Sequence, residues 1–106
     1  MKIKIGGQQQ MLLNLTMMSK PYTDIEVTDK YIIREFNENI DPTELLWHRD
    51  LKSRKLTVLE GKGWYLQKDN ELPVEMIKGN TIYIDALKWH RVIKGNTILK
   101  IKIKEY

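Results

Sequence analysis

Only two histidines occur in the chain, and both stand in the same tripeptide: Trp47-His48-Arg49 and Trp89-His90-Arg91, the first followed by Asp50. Two imidazoles and one carboxylate are a sufficient donor set to hold a divalent metal on one face, leaving other positions open to water or substrate. On an extended strand residues two apart share a face, so His48 and Asp50 point one way while Trp47 and Arg49 point the other. The same rule sets His90 with Val92, opposite Trp89 and Arg91. If the two segments are neighbouring strands, His48, Asp50 and His90 converge, and the tryptophans turn outward onto a second layer or a partner subunit. The same residues also allow a polar pocket without metal. There His48 and Asp50 bond to each other or to Arg54, as buried polar groups normally do, and a small anionic or sugar-like ligand is held through His48, Arg54 and His90.

The elements that must position these side chains are short strands. From residue 43 onward, apolar and β-branched runs at Glu44–Arg49, Lys55–Leu59, Trp64–Lys68, Val74–Ile77, Thr81–Ile84, Trp89–Ile93 and Thr97–Lys104 alternate with segments rich in Gly, Asn and Asp. That spacing predicts an all-β sandwich or barrel. The intervening Glu60-Gly61-Lys62-Gly63, Asp69-Asn70, Lys78-Gly79-Asn80, Asp85-Ala86 and Lys94-Gly95-Asn96 supply residues that tolerate the positive φ of tight turns. The hexapeptide Ile77-Lys78-Gly79-Asn80-Thr81-Ile82 recurs as Ile93-Lys94-Gly95-Asn96-Thr97-Ile98, which reads as one turn sequence used twice. Before residue 43 the pattern is weaker. Lys2–Ile5 and Tyr31–Phe36 read as strands, Gly6–Gln10 and Asn37–Asp41 as loops, and Met11–Met18 as strand or short helix. Residues 1–40 are expected to add outer strands or an N-terminal arm to the same domain, or a dimer contact.

With 106 residues the chain supports one domain, residues 1–106, with a single modest core. The absence of cysteine excludes disulfides, zinc ribbons and thiol nucleophiles and fits a reducing, cytoplasmic setting. No stretch has the length of a membrane span, and the start lacks a secretory signal pattern, so a soluble protein with no membrane partner is expected. The net charge of +4 is spread along the chain. Its densest basic run, Lys100-Ile101-Lys102-Ile103-Lys104, alternates and so places lysines on a solvated strand face, an arrangement that also protects a sheet edge. Nucleic acid is therefore not an expected partner.

The last two-thirds of the chain, residues 43–104, resembles a cupin. The first cupin motif runs His-x-His, then Glu, then Gly, and matches His48 through Gly61, ending in the cupin-like turn Val58-Leu59-Glu60-Gly61-Lys62-Gly63. The second runs Gly, Pro-x-Gly, His and matches Gly79 through His90. Departures are specific: Asp50 replaces the second histidine, Arg54 stands at the glutamate, and Asp85-Ala86-Leu87 occupies Pro-x-Gly. The resemblance implies a double-stranded β-helix, or jelly-roll barrel, that binds a small molecule. A small jelly roll exposes sheet edges that pairing can cover, so a homodimer is expected, and the resemblance also implies a divalent metal (iron, manganese, nickel or zinc) on His48, Asp50 and His90. Arg54 or Arg49 would then orient an anionic substrate by charge-assisted hydrogen bonds, in a metal-assisted isomerisation or oxygenation. The arginine at the glutamate position opposes a cation unless it turns away or pairs with Asp50, which keeps open a non-catalytic barrel serving in interaction or assembly. His-x-Asp followed by His is also similar to the facial triad of the 2-oxoglutarate-dependent iron oxygenases, with Lys100 where such enzymes hold the co-substrate carboxylate.

Other candidates have structural readings. Ser53 lacks a Gly-x-Ser-x-Gly context, and Gly61-Lys62-Gly63 lacks the length of a phosphate loop. Trp64, Tyr65 and Tyr83 are expected in the core or barrel wall, and Met11, Met17 and Met18 as gap-filling core or interface residues.

Overall fold

A computed structural model describes residues 21–42 and 45–106. The segments Lys2–Ile5, Gly6–Gln10 and Met11–Met18 lie outside these residues. Eight strands are described: β1 (Tyr22–Val27), β2 (Ile32–Phe36), β3 (Arg54–Glu60), β4 (Tyr65–Lys68), β5 (Val74–Glu75), β6 (Thr81–Ile84), β7 (His90–Ile93) and β8 (Leu99–Glu105). All pairings are antiparallel, in a five-stranded sheet of order β1-β2-β8-β3-β6 and a three-stranded sheet of order β5-β4-β7. The all-β jelly-roll expectation is met.

Alternation builds the core. Leu56 and Val58 of β3, Ile82 and Ile84 of β6, and Leu99, Ile101 and Ile103 of β8 face inward and meet Leu66 of β4 and Val92 of β7. Each such side chain contributes about 1.5 to 3 kcal/mol on full burial, so the period-two pattern and not any single contact specifies which face is inside. Trp64, fully buried just before β4, packs its ring 5.8 Å from that of Phe36 and donates its indole N–H to the Thr97 carbonyl at 2.7 Å. Tyr65 and Tyr83 are wall residues turned outward.

The lysines of β8 face out, as expected, on a strand that lies between β2 and β3 and is not a sheet edge, and Lys100 approaches Glu35 and Glu60 at 3.9 and 3.7 Å. Two expectations are corrected. In the Glu44–Arg49 stretch the described residues, 45–49, form no regular strand, and among them only His48 makes a β-bridge, to His90. The repeated hexapeptide does not make one turn twice. Gly79 has φ +91° with open space around its missing side chain, whereas Gly95 has no positive φ and is hemmed in by backbone. β1 had no sequence signal because five of its six residues are exposed.

Candidate functional site

The two Trp-His-Arg tripeptides lie antiparallel. His48 and His90 exchange both backbone hydrogen bonds, at 2.9 and 2.8 Å, and their rings stand 4.3 Å apart. Antiparallel pairing centred on the histidines sets each tryptophan opposite the other tripeptide's arginine. Arg91 accordingly lies 4.9 Å from the Trp47 ring and Arg49 5.2 Å from that of Trp89. Both tryptophans are about two-fifths exposed, 40% and 43%, on the outer face, and both histidines turn inward, as the strand rule predicts. The structure thus brings together His48, Asp50, His90 and Arg54, and sets Arg49 on the opposite side of the segment from the histidine rings.

Backbone carbonyls fix the imidazole orientations. Nδ1 of His48 lies 3.0 Å from the Leu46 carbonyl and Nδ1 of His90 lies 2.8 Å from that of Lys88. A carbonyl only accepts, so each Nδ1 donates to it, and Nε2 is the ring atom left for a ligand. Outer contacts of this kind orient histidines in metal sites. One ligand atom from each of His48, Asp50 and His90 lies within 4.8 Å of the others. Two ligands bonded at roughly 2.0 to 2.2 Å to one cation are at most about 4.4 Å apart, so movements of a few tenths of an ångström reach that limit.

Asp50 has charged neighbours but an unsatisfied oxygen. Its Oδ2 is 3.2 Å from His90 Nε2 and 3.3 Å from Arg54 Nη1, yet neither approach has hydrogen-bond geometry and this buried atom has no hydrogen-bond partner. The Arg54 guanidinium is held from the other side by Glu105, at 2.9 and 3.0 Å. One arginine therefore serves two carboxylates. Burial pushes the Asp50 carboxyl up, but His90, Arg54 and His48 together outweigh it and bring it down to about 2.

Burial lowers His48 from its ordinary 6.5 to about 4, against a smaller upward pull from the Leu46 carbonyl. The imidazole is neutral at physiological pH, the form that binds metal. Between pH 4 and 6.5 the unfolded chain binds a proton here that the folded chain does not, so stability rises with pH across that window, by roughly 2 to 3 kcal/mol. Denaturant melts of metal-free protein at pH 4.5 and 7 are expected to show most of this difference, and His48→Gln to remove it. An unchanged slope in the variant would refute the assignment.

The turn before β7 places Asp50. Leu87 donates its backbone N–H to the Asp50 carbonyl at 2.8 Å while adopting φ +64°, a left-handed conformation costly for leucine. It occupies the position at which the second cupin motif has glycine. Its side chain is half exposed, so Leu87→Gly loses little packing and is expected to stabilise the fold by about 1 kcal/mol, raising Tm by roughly 4 to 8 °C. An unchanged or lower Tm would contradict the strain.

Beside the histidines opens a cavity of about 560 Å³, open solvent at its mouth included. Its walls are mainly apolar, from Tyr22, Phe36, Leu45, Leu56, Ile84 and Ile101 among others, with His48, His90, Arg54 and Arg34 as the polar groups. Arg34 was missed from sequence. It pairs with Asp24 at 2.7 Å and covers the Tyr22 ring at 3.6 Å. Its signal was available in β2, where Arg34 stands two residues before buried Phe36 and so shares the inward face. Lys100 faces away from this cavity, on the outer side of β8, so a co-substrate role for it is not supported.

No family model matches the sequence, and no curated protein matches it. Solved structures do. A cupin superfamily protein from Desulfitobacterium hafniense aligns with TM-score 0.58 at 14% identity over 79% of this chain and 74% of its own. An RmlC-like cupin from Methanocaldococcus jannaschii, described as a double-stranded β-helix, aligns with TM-score 0.57 at 17% identity over 82% and 81%. Hydroxypropylphosphonic acid epoxidase from S. wedmorenis, in complex with fosfomycin, aligns with TM-score 0.55 at 18% identity over 72% of this chain, which spans about two-fifths (42%) of that enzyme. The alternating core, the two antiparallel sheets and these likenesses agree: the chain is built on the cupin fold, the double-stranded β-helix.

Proposed function

We propose that this protein binds a divalent cation through His48 Nε2, His90 Nε2 and the Asp50 carboxylate, and a small molecule in the adjoining cavity. The observation that carries the reading is the convergence of one ligand atom each from His48, Asp50 and His90 within 4.8 Å of one another, around a buried Asp50 Oδ2 that lacks a hydrogen-bond partner and lies 3.2 Å from His90 Nε2. A buried carboxylate oxygen without a hydrogen-bond partner is costly, and a cation held jointly with the two imidazoles would supply that partner. The donor chemistry, imidazole and carboxylate, suits iron, manganese, nickel or zinc. When bound, such an ion polarises an oxygen of a coordinated molecule as a Lewis acid.

The chain's own residues supply the rest. The apolar walls exclude water and accept the carbon body of the ligand, and Arg34 at the cavity lining, held by Asp24 through Nε and Nη2, has Nη1 left to donate to a polar or anionic end. Arg54 is occupied by Glu105 and Asp50. Metal analysis of protein purified without a histidine tag tests the reading. Near-stoichiometric metal, with a Tm that falls on chelation, is expected. No metal under any loading condition would exclude it.

A second reading, a barrel that assembles with another copy, is favoured by the outer face. Trp47 and Trp89 are half-exposed there beside Arg49 and Arg91, the residue types that dominate interface energetics. Sedimentation of wild type and of Trp47→Ala/Trp89→Ala tests it, with a dimer lost in the variant as the expected result.

A further inference from the structure

We propose that Glu105 is a positioning residue that makes a cation site compatible with an arginine at the place where the cupin motif has a glutamate. The inference rests on the metal reading of His48, Asp50 and His90. Arg54 lies on the inward face of β3 and lines the same cavity as both histidines, with one guanidinium nitrogen 3.3 Å from Asp50 Oδ2. Left to itself, an arginine there would neutralise the one carboxylate available as a ligand and repel an approaching cation. Two features prevent this. Glu105 takes the guanidinium through Nε at 3.0 Å and Nη2 at 2.9 Å, the close contacts of the cluster, while the contact to Asp50 is longer and lacks hydrogen-bond geometry. Sheet register then holds Glu105 in place: Arg54 and Glu105 are directly paired between β3 and β8, and beyond them Ser53 and Tyr106 exchange both backbone hydrogen bonds, at 3.1 and 3.0 Å.

Charge arithmetic follows from this arrangement. Arg54 carries one positive charge and faces two carboxylates, so the cluster retains one negative charge, displaced toward Asp50. Glu105 is not itself within the ligand trio. It acts through Arg54, by holding that charge on the β8 side and leaving an Asp50 oxygen available.

The test is a double-mutant cycle read by calorimetric titration of zinc into metal-free full-length protein. Glu105→Gln keeps the shape but releases Arg54 to pair with Asp50, and is expected to weaken zinc binding about tenfold. Arg54→Gln alone is expected to bind at least as tightly as wild type, and Arg54→Gln/Glu105→Gln to recover most of the loss, because the effect of Glu105 exists only through Arg54. A merely structural role for Glu105 would leave the double variant no better than Glu105→Gln, and that result overturns the proposal. So does an unchanged affinity in Glu105→Gln, which leaves the metal reading itself intact. Wild-type protein that binds no zinc, manganese, nickel or iron overturns both together. Circular dichroism melts of each variant confirm that the affinities refer to folded protein, and Arg54→Gln supplies a second arm should Glu105→Gln fold poorly.

Discussion

His90→Ala is expected to abolish metal binding and to destabilise the metal-free fold at the same time. His90 is the single buried polar side chain among the described residues, 3% exposed, and it serves three partners. Its backbone joins β7 to His48, its Nδ1 binds the Lys88 carbonyl, and its Nε2 faces Asp50. Loss of an outer-shell contact alone costs about 10- to 100-fold in metal affinity, so loss of a ligand exceeds that range. Truncation also leaves a cavity and strips a buried carboxylate of a neighbour, a combination worth about 2 to 4 kcal/mol. The two effects separate by measurement: metal affinity from titration, and stability from urea melts in chelator. His90→Gln, which keeps volume, is expected to lose the metal while losing less stability. Retained stoichiometric binding in either variant would remove His90 from the site.

Gly95→Ala is expected to be the most damaging single-methyl addition in the described chain. A Cβ there would lie 2.4 Å from the Lys62 carbonyl oxygen, 2.4 Å from Trp64 Cδ1 and 2.7 Å from the Gly63 carbonyl carbon. Two of these atoms are backbone and the third belongs to a fully buried indole held by Thr97, so nothing yields cheaply. The expected cost is about 3 kcal/mol, at the upper end for overpacking. Gly79→Ala, in the other copy of the hexapeptide, meets no atom within 4 Å and carries only the left-handed penalty of about 1 to 2 kcal/mol at φ +91°. Urea melts of the two variants check the contrast. Equal costs would show that the repeat is one turn after all.

That contrast also marks how far residue patterns reach. Alternation in Thr81–Ile84 and Thr97–Lys104 was legible because burial on one face imposes a period of two, and β6 and β8 follow it. The inward turn of His48 and His90 and the outward turn of their tryptophans followed from the same rule. β1 was illegible because it buries almost nothing, and the central place of β8 because edge and interior strands can carry the same lysines. Convergence of His48, Asp50 and His90 was an expectation contingent on pairing, which a sequence does not state. The Arg54–Glu105 pair lay further out of reach, since its partners are 51 residues apart and meet only through the register of β3 on β8. Leu87 shows the opposite case: motif alignment set it at a glycine position, and its backbone keeps the glycine conformation.

The most direct measurement is a crystal structure of the metal-loaded protein with anomalous data collected at the absorption edge of the metal. One anomalous peak at bonding distance from His48 Nε2, His90 Nε2 and an Asp50 oxygen, with Arg54 still on Glu105, is the predicted result. A metal seated elsewhere, or a His48–Asp50–His90 cluster that stays closed on itself at saturating metal, would contradict it.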